Sequence, residues 1–301
     1  MNNEPFLIVG TGALATLFAA RLAEQGRDVT MLGTWQAGLD ALERAGARLT
    51  DAGGRGERSF RVRAARDPAA ARGAKYALVL VKSWQTERAA RQLADCLADD
   101  GLAITLQNGL GNDAILADAL GRERVSLGVT VAGATLLGPG LVRAEGEGSV
   151  SLAAHPRLGV VKAALRRARF NVEVAADARS IVWGKLTINA AINPLTALLQ
   201  VPNGELLKRP PARALMGELA RETAAVAAAQ QIRLPFADPV EAAEAAARKT
   251  AANHSSMLQD VCRGAPTEID AICGAIAEAG ERLDAPTPLN RACWQLVKAL
   301  Q

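Results

Sequence analysis

The feature that most constrains this fold is an apolar run that leads into a glycine turn and then a helix. Residues 5–10 read PFLIVG, and the amphipathic stretch 16–25 ends at Gly26. A second strand-like segment, 27–32, follows at once. Because a strand, a glycine turn, a helix and a second strand make a βαβ unit, the chain begins with the building block of a parallel sheet.

The glycine turn has the spacing of a dinucleotide-binding loop. Gly10, Gly12 and Ala15 give the pattern G-x-G-x-x-A between the strand and the helix. The first glycine permits a tight turn, the second lets backbone N–H groups approach a pyrophosphate, and the small third residue lets helix and strand pack closely. An ordinary glycine turn is the alternative. The cofactor contacts predicted from this loop are Gly10, Thr11, Gly12, Ala13, Leu14 and Ala15.

Strands alternate with helices up to about residue 130, and only helices are predicted after residue 180. The predicted strands are 76–82, 102–107 and 125–130, with helices at 84–98 and 111–120 and antiparallel strands within 131–155. The later helices are 181–199, 211–231, 238–253, 267–282 and 287–300. The expected fold is therefore an α/β Rossmann-type doubly wound sheet followed by an all-α helical domain. The predicted domains are a dinucleotide-binding domain at 1–177 and a helical substrate and dimerisation domain at 178–301.

Composition argues against several other classes of protein. The chain has four cysteines without a Cys-x-x-Cys pair and only two histidines, which disfavours a metal centre or a disulfide framework. Aromatic residues make up 3% of the chain, so few side chains could stack on nucleic-acid bases despite a net charge of +4. No membrane span and no leader segment are predicted. We expect a cytoplasmic protein with no nucleic-acid or membrane partner.

Residues that follow the predicted strands are further candidates to contact a cofactor, because ligands of open α/β sheets bind beyond the carboxyl ends of the strands. An acid after the second strand favours NAD and a basic residue favours NADP, but segment 32–36 reads LGTWQ and has neither. Thr34 could donate a hydroxyl group there. Lys82 is either a phosphate contact or a surface lysine, and Asn108 is either a ligand-facing amide or part of a turn.

The most informative segment is a predicted helix with three polar side chains in apolar surroundings. Lys185, Asn189 and Asn193 are spaced by four residues and therefore share one helix face. A partly buried lysine among amides can give up its proton near neutral pH, because desolvation disfavours its charged form. The alternative is a lysine at a helix entry with two capping asparagines. Pro194 is expected to disturb the helix.

Ser256 and Glu268 are polar candidates with two interpretations each. Ser256 is either a helix N-cap or a ligand for an anionic group. Glu268 either complements a helix dipole from the first turn or acts as an acceptor in a binding site. Taken alone, the structural interpretation is favoured for both residues.

Several segments together resemble the ketopantoate reductases, also called 2-dehydropantoate 2-reductases, along essentially the whole chain. They are GTGALA, VKSWQ, QNGLG, GKLTINAAINPLTALLQVPNGEL, NHSSMLQD and PTEID. The resemblance implies NADP(H)-dependent reduction of the 2-keto acid ketopantoate to pantoate, for pantothenate and coenzyme A biosynthesis, and makes a homodimer an expectation. A related reductase of another 2-keto acid and a non-catalytic dinucleotide-binding protein are the alternatives.

The resemblance also implies a role for each matching residue. Lys185 matches the general acid that protonates the carbonyl oxygen, and Glu268 matches the acid that holds the substrate hydroxyl. The matching substrate ligands are Asn108, Asn189, Asn193 and Ser256, and the matching cofactor contacts are Gly10, Gly12, Lys82 and again Asn108. Thr34 departs from the family, in which an arginine commonly binds the adenine-ribose phosphate.

Overall fold

The computed structural model describes residues 4–51, 53–54 and 56–301, which divide into two compact units. The first unit runs to Gln107 and continues from Asn112 to Ala178. The second comprises Asn108–Gly111 and Arg179–Gln301. The short segment Asn108–Gly111 therefore belongs with the helical part of the chain, although it lies far from that part in the sequence.

Strands and helices alternate through the first unit. Its first elements are β1 (Phe6–Val9), α1 (Ala13–Glu24), β2 (Val29–Leu32), α2 (Gln36–Ala45), β3 (Ala47–Thr50), β4 (Arg58–Phe60), β5 (Arg63–Ala65) and β6 (Ala74–Val79). The remaining ones are α3 (Thr86–Cys96), β7 (Leu97–Thr105), α4 (Asn112–Leu120), β8 (Val125–Thr130), β9 (Ala134–Gly138), β10 (Leu141–Ala144), β11 (Ser149–Ala153), α5 (Gly159–Arg167) and β12 (Asn171–Ala175).

The main sheet has the strand order of a doubly wound fold. Among the described residues it contains eight strands in the order β12-β11-β8-β7-β6-β1-β2-β5. Strands β5, β2, β1, β6, β7 and β8 are parallel, β11 is antiparallel to β8, and β12 is parallel to β11. Because the chain builds outward on both sides of β1, the order reverses between β1 and β6. The predicted Rossmann-type sheet is confirmed.

Helices cover both faces of this sheet, as the packing of β1 shows. Phe6 and Ile8 join a core cluster with side chains of α1 and α5, whereas Leu7 and Val9 join a second cluster with side chains of α3 and α4. Successive side chains of a strand point to opposite faces. A strand buried on both faces has no polar side, which explains why PFLIVG is a continuous apolar run.

A second, smaller sheet packs on α1 and was not predicted from the sequence. It has the order β4-β3-β10-β9 among the described residues. The antiparallel pairing of β9 with β10 agrees with the expectation for 131–155, but β10 also pairs in parallel with β3. Strands of three to five residues that pair across about ninety positions leave little periodic signal in the sequence.

All regular elements of the second unit are helices among the residues that the structure describes. Its elements are α6 (Ala178–Leu199), α7 (Glu205–Lys208), α8 (Pro210–Ala229), α9 (Pro239–Lys249), α10 (Ser256–Cys262), a π-helical turn (Asp270–Gly274), α11 (Ala275–Arg282) and α12 (Pro288–Lys298). Helices α7 and α10 were missed because four and seven residues are too few for a periodic pattern. None of the helices formed by the described residues is long and apolar enough to cross a membrane.

Helix α6 continues through Pro194, so the proline does not end the helix. Asn193 and Pro194 are buried, and neighbouring residues of α6 belong to the core cluster of this unit. The hydroxyl oxygen of Thr196 lies 3.0 Å from each of the carbonyl oxygens of Ile192 and Asn193. Packing on the rest of the unit holds the helix together although proline removes one backbone N–H donor.

Candidate active site

The glycine turn between β1 and α1 presents backbone donors with open space before them. Gly10 has φ +132°, and a Cβ there would lie 3.1 Å from the carbonyl oxygen of Leu80, so the turn requires glycine. Gly12 is the N-cap of α1, receives no side-chain cap, and would direct a Cβ into open space. Uncapped N–H groups at a helix N-terminus suit an anionic diphosphate, so the donors present fit the dinucleotide predicted from the sequence.

The other predicted loop residues differ in exposure. Thr11 is buried, and its Cγ2 lies 2.7 Å from the position of a Cβ on Gly33. Ala15 is fully buried against Gly10, whereas Ala13 and Leu14 are half-buried in the first turn of α1. The side chains of Thr11 and Ala15 therefore pack the turn against the sheet and leave the backbone of the turn to face a ligand.

Five parallel strands end at the same border of the main sheet as the glycine turn. The residues that follow β1, β2, β5, β6 and β7 are called here the carboxyl edge; they are Gly10–Gly12, Gly33–Trp35, Arg66, Lys82 and Gln107. Trp35 packs over Gly38, where a Cβ would overlap the indole ring, and it keeps 39% of its surface exposed. Nη2 of Arg66 donates to the carbonyl oxygen of Thr34 at 2.9 Å.

A side-chain network fixes the end of β7 against the loop after β6. Nε2 of Gln107 donates to the carbonyl oxygen of Val81 at 3.0 Å and to the hydroxyl of Thr86 at 2.8 Å. Thr86 in turn donates to Oδ1 of Asn112 at 2.7 Å. Lys82, half-buried, follows Val81 directly, so this network positions the backbone of the predicted phosphate contact.

In the second unit, α6 carries Lys185, Asn189 and Asn193 at the predicted spacing. Lys185 and Asn189 are half-buried and Asn193 is buried. Burial lowers the pKa of the Lys185 ammonium group from 10.5 to about 8, and the opposite charge of Glu268 limits that fall. A lysine with this pKa exists in both protonation states near neutral pH.

Glu268 is buried and connects two distant parts of the sequence within this unit. Its Oε2 accepts a hydrogen bond from Nδ2 of Asn108 at 3.1 Å, and its backbone carbonyl accepts from N–H of Ile272 at 3.1 Å. Glu268 precedes the π-helical turn, so the alternative of a residue in the first turn of a helix is wrong. The structure thus brings the charge of Glu268 to both Lys185 and Asn108.

The segment Asn108–Gly111 is held by the π-helical turn. N–H of Leu110 donates to the carbonyl oxygen of Ala271 at 2.9 Å. Gly109 has φ +84°, and a Cβ on it would lie 2.5 Å from the same oxygen. The turn interpretation of Asn108–Gly109 and the ligand interpretation are therefore compatible, because the turn is what presents the Asn108 amide to Glu268.

The opposite side of the π-helical turn is anchored on α12. Oδ1 of Asp270 accepts hydrogen bonds from Nε1 of Trp294 at 2.6 Å and from Nζ of Lys298 at 3.0 Å. A Cβ on Gly274 would lie 2.9 Å from the indole of Trp294. π-Helical turns often occur at functional sites. These contacts link residues twenty or more positions apart, so no local pattern in the sequence indicates them.

The two serines at the start of α10 have different roles, which the sequence alone did not distinguish. Ser255, not Ser256, is the N-cap, because its Oγ accepts from N–H of Leu258 at 3.1 Å. The hydroxyl of Thr196 donates to the same Oγ at 2.7 Å, which ties α10 to α6. Ser256 is exposed at the first position of the helix. The N-cap alternative for Ser256 is wrong, and its hydroxyl is not committed to capping.

The PNGEL motif fixes the loop that leads to this serine pair. N–H of Asn203 donates to the carbonyl oxygen of Asn253 at 3.0 Å, and its Nδ2 donates to the hydroxyl of Thr250 at 2.8 Å. Gly204 lies so close to Ala251 that a Cβ would approach to 2.6 Å. This motif carried part of the sequence resemblance without an assigned role, and here it has a structural one.

Metal-binding clusters do not occur in the part of the chain that the structure describes: no three His, Cys, Asp or Glu side chains are grouped to hold an ion. The four cysteines, Cys96, Cys262, Cys273 and Cys293, are all free thiols.

Comparison with known proteins assigns the family over nearly the whole length. The family model "Ketopantoate reductase PanE/ApbA" matches residues 6–157, and "Ketopantoate reductase PanE/ApbA C terminal" matches residues 177–301. A 2-dehydropantoate 2-reductase of Halobacterium salinarum is 34% identical over 301 residues, which cover 98% of each chain.

Solved structures show the same fold. A PanE/ApbA family ketopantoate reductase from Ralstonia eutropha superposes with a TM-score of 0.90 at 31% identity over 98% of each chain. A D-mandelate dehydrogenase solved with NADH and anilino(oxo)acetate superposes with a TM-score of 0.92 over 99% of this chain and 98% of its own. At 24% identity the second likeness is one of fold alone. The chain described here belongs to the ketopantoate reductase PanE/ApbA family.

Proposed function

We propose that this protein reduces ketopantoate to pantoate with NADPH, with Lys185 as the general acid. The observation that carries the proposal is the state of Lys185, whose pKa burial lowers to about 8 while Glu268 acts on the same amine. A general acid works best when its pKa lies near the operating pH. The relatives named 2-dehydropantoate 2-reductase support the choice of substrate.

The proposal divides the chemistry between the two units. Residues 1–177 form the dinucleotide-binding domain, with Gly10–Ala15, Thr34 and Lys82 as cofactor contacts from the first unit. Asn108, whose segment belongs to the second unit, is the remaining cofactor contact. Residues 178–301 form the substrate domain. Bound NADPH supplies the hydride that reduces the ketone.

Lys185 supplies the proton that the carbonyl oxygen needs to become a hydroxyl group. As the carbonyl carbon accepts a hydride, negative charge develops on the carbonyl oxygen, and a nearby ammonium group stabilises that charge. Transfer of the proton from Nζ to this oxygen completes the hydroxyl group of the product and leaves a neutral amine. Bulk solvent then returns a proton to the amine, and the lowered pKa of Lys185 favours release of that proton in the next cycle.

Glu268 and the amide side chains hold the substrate in this proposal. The buried carboxylate of Glu268 accepts the hydrogen bond of the substrate hydroxyl, and the Asn108 amide that donates to it fixes its orientation. Asn189 and Asn193 supply further polar contacts from the Lys185 face of α6. Ser256, whose hydroxyl lies exposed at the start of α10, donates to the substrate carboxylate.

A second candidate is a reductase of another 2-keto acid. It is favoured by one observation, the likeness in fold to a protein named D-mandelate dehydrogenase, because the same fold there carries a different substrate name. Fold and catalytic groups do not fix the acyl side chain of the substrate.

A substrate and cofactor panel tests the proposal. NADPH and NADH oxidation is measured by absorbance with ketopantoate, 2-oxoisovalerate, pyruvate and phenylglyoxylate. The proposal expects the highest kcat/KM for ketopantoate with NADPH. A higher value for another acid supports the second candidate, and cofactor binding without turnover of any acid overturns both. The place in coenzyme A biosynthesis, the homodimer and the cytoplasmic location stay predictions.

A further inference from the structure

Arg66, the residue that follows β5, places a cationic side chain beside Thr34, where the segment after β2 has no basic residue. β5 pairs in parallel with β2, so that Ala65 lies opposite Leu32, and N–H of Gly33 donates to the carbonyl oxygen of Ala65 at 3.0 Å. The next residue, Arg66, reaches across and donates from Nη2 to the carbonyl oxygen of Thr34 at 2.9 Å. The Arg66 guanidinium group therefore lies beside the backbone of the position that has no basic side chain.

The charge of Arg66 is available to a ligand. Its side chain is exposed, and no carboxylate of the described residues forms an ion pair with it. Arg63, at the other end of the same strand, differs because its Nη2 lies 2.8 Å from Oδ2 of Asp28. Segment 32–36 has no acid that would compete for the guanidinium or accept a ribose diol.

The chemistry of the guanidinium group suits a phosphate monoester. Arginine has five N–H donors in a planar fork that matches phosphate oxygens in pairs. The bond to Thr34 engages a single nitrogen and orients the fork at the carboxyl edge, where the cofactor of an open α/β sheet binds. Because the acceptor is a backbone carbonyl, this orientation does not depend on the side chain at position 34.

We propose that Arg66 binds the 2′-phosphate on the adenosine ribose of NADPH and so supplies from β5 the cation that Thr34 does not. The inference rests on the proposed function for the presence of a dinucleotide. It adds the residue that selects NADPH over NADH in this chain. Thr34 contributes its backbone carbonyl to the arrangement, and its hydroxyl is not required.

Binding without turnover tests this assignment. Dissociation constants for NADPH, NADH, 2′-phospho-ADP-ribose and ADP-ribose are measured by isothermal titration calorimetry on the full chain and on Arg66→Gln. Loss of hydrogen bonds to a charged group is expected to weaken NADPH and 2′-phospho-ADP-ribose by roughly 10- to 100-fold. NADH and ADP-ribose, which lack the phosphate, keep their affinity within about twofold, the size of a negligible interaction.

Arg63→Gln is the matched control, since it removes the same charge three residues earlier, at the first residue of β5. It leaves all four affinities within about twofold, because Arg63 is paired with Asp28 and lies at the opposite end of β5. Arg66→Lys restores part of the preference, since an ammonium group attracts phosphate without the bidentate geometry. Equal melting temperatures of the variants show that each is folded.

Two results would overturn the assignment: Arg66→Gln weakens the phosphorylated and unphosphorylated ligands equally, or it changes none of them. Failure of the proposed function gives a different pattern. If ketopantoate is not reduced while Arg66→Gln loses NADPH selectively, the reductase proposal fails and the role of Arg66 stands. If no dinucleotide binds to the unmodified chain, both proposals are wrong.

Discussion

The carboxyl edge of the first unit and the polar cluster around Lys185 in the second unit are built in opposite ways. The carboxyl edge offers backbone donors and side chains of mixed exposure, and its residues follow neighbouring strands of one sheet. The cluster joins side chains from three distant segments, Asn108, Lys185 and Glu268. Burial lowers the pKa of Lys185 and removes the carboxylate of Glu268 from water. Binding through the backbone follows from the fold, whereas proton transfer depends on which side chains the fold removes from water.

The largest predicted effect comes from the cluster. Lys185→Met removes the proton donor and is expected to lower kcat by roughly 10²–10⁴-fold, the usual size of a general-acid contribution. NADPH affinity is expected to remain, because the predicted contacts with the adenosine and diphosphate lie in the first unit. Stopped-flow or steady-state NADPH oxidation with ketopantoate measures the loss, and fluorescence titration measures the affinity.

Lys208→Met is the control for that variant. Lys208 is an exposed lysine of the same unit that pairs with Glu205 at 2.8 Å, so its removal is expected to leave kcat within about twofold. A Lys185→Met enzyme that turns over at the rate of the Lys208→Met enzyme would contradict the role of Lys185.

Glu268→Gln is expected to have the next largest effect. The substitution keeps the shape of the side chain but removes its charge, and kcat/KM falls by roughly 10- to 100-fold as a charged hydrogen-bond acceptor is lost. It also removes the interaction that raises the pKa of Lys185, so that this pKa falls further. Glu278→Gln, on the exposed side of α11, controls for the loss of one carboxylate. Unchanged kcat/KM in Glu268→Gln would exclude it from substrate binding.

Sequence reasoning succeeded where the relevant contacts are local. The turn at Gly10 and Gly12 and the stripe from Lys185 to Asn193 each lie within one or two consecutive elements, so spacing alone describes them. The parallel sheet followed from the alternation of strands and helices.

The features that could not be predicted are those that depend on contacts between distant residues. Two hydrogen bonds illustrate this. N–H of Leu110 donates to the carbonyl oxygen of Ala271, and the guanidinium group of Arg66 donates to that of Thr34, in each case between residues far apart in the sequence. Ser255, the N-cap of α10, is in contact with the hydroxyl of Thr196, which lies 59 positions earlier in the chain. No spacing rule identifies such partners, although two glycines in QNGLG indicate a constrained turn.

Gly109→Ala tests whether the contact between Asn108–Gly111 and the π-helical turn positions Asn108 for catalysis. Left-handed backbone costs an alanine about 1–2 kcal/mol, and its Cβ would also collide with the carbonyl oxygen of Ala271. Gly111→Ala is a close control, because Gly111 has φ +86° but open space around its Cβ. We expect both variants to lower Tm and only Gly109→Ala to lower kcat/KM as well, by about tenfold or 1.4 kcal/mol. Equal kcat/KM values for the two variants would show that contact with the π-helical turn does not position Asn108.

Gly12→Ala is the corresponding test at the carboxyl edge and is expected to have a smaller effect. Its Cβ would meet no protein atom within 4 Å, and φ of −80° is ordinary for alanine, so Tm should not change. The methyl group occupies space through which a diphosphate would approach the backbone, so the Kd for NADPH rises severalfold while kcat at saturating NADPH is kept. A fall in Tm with unchanged Kd would mean that the residue serves the fold alone.

The pH dependence of kcat/KM for ketopantoate reduction tests the central claim most directly. The protonated form of Lys185 is the active one, so activity is present below its pKa and is lost as the pH rises through it. With that pKa at about 8, we predict a level profile from pH 6 to 7.5 and a tenfold fall per pH unit well above pH 8. The falling limb should move to lower pH in Glu268→Gln. A profile that stays level to pH 10, or a limb that Glu268→Gln does not move, would contradict the account.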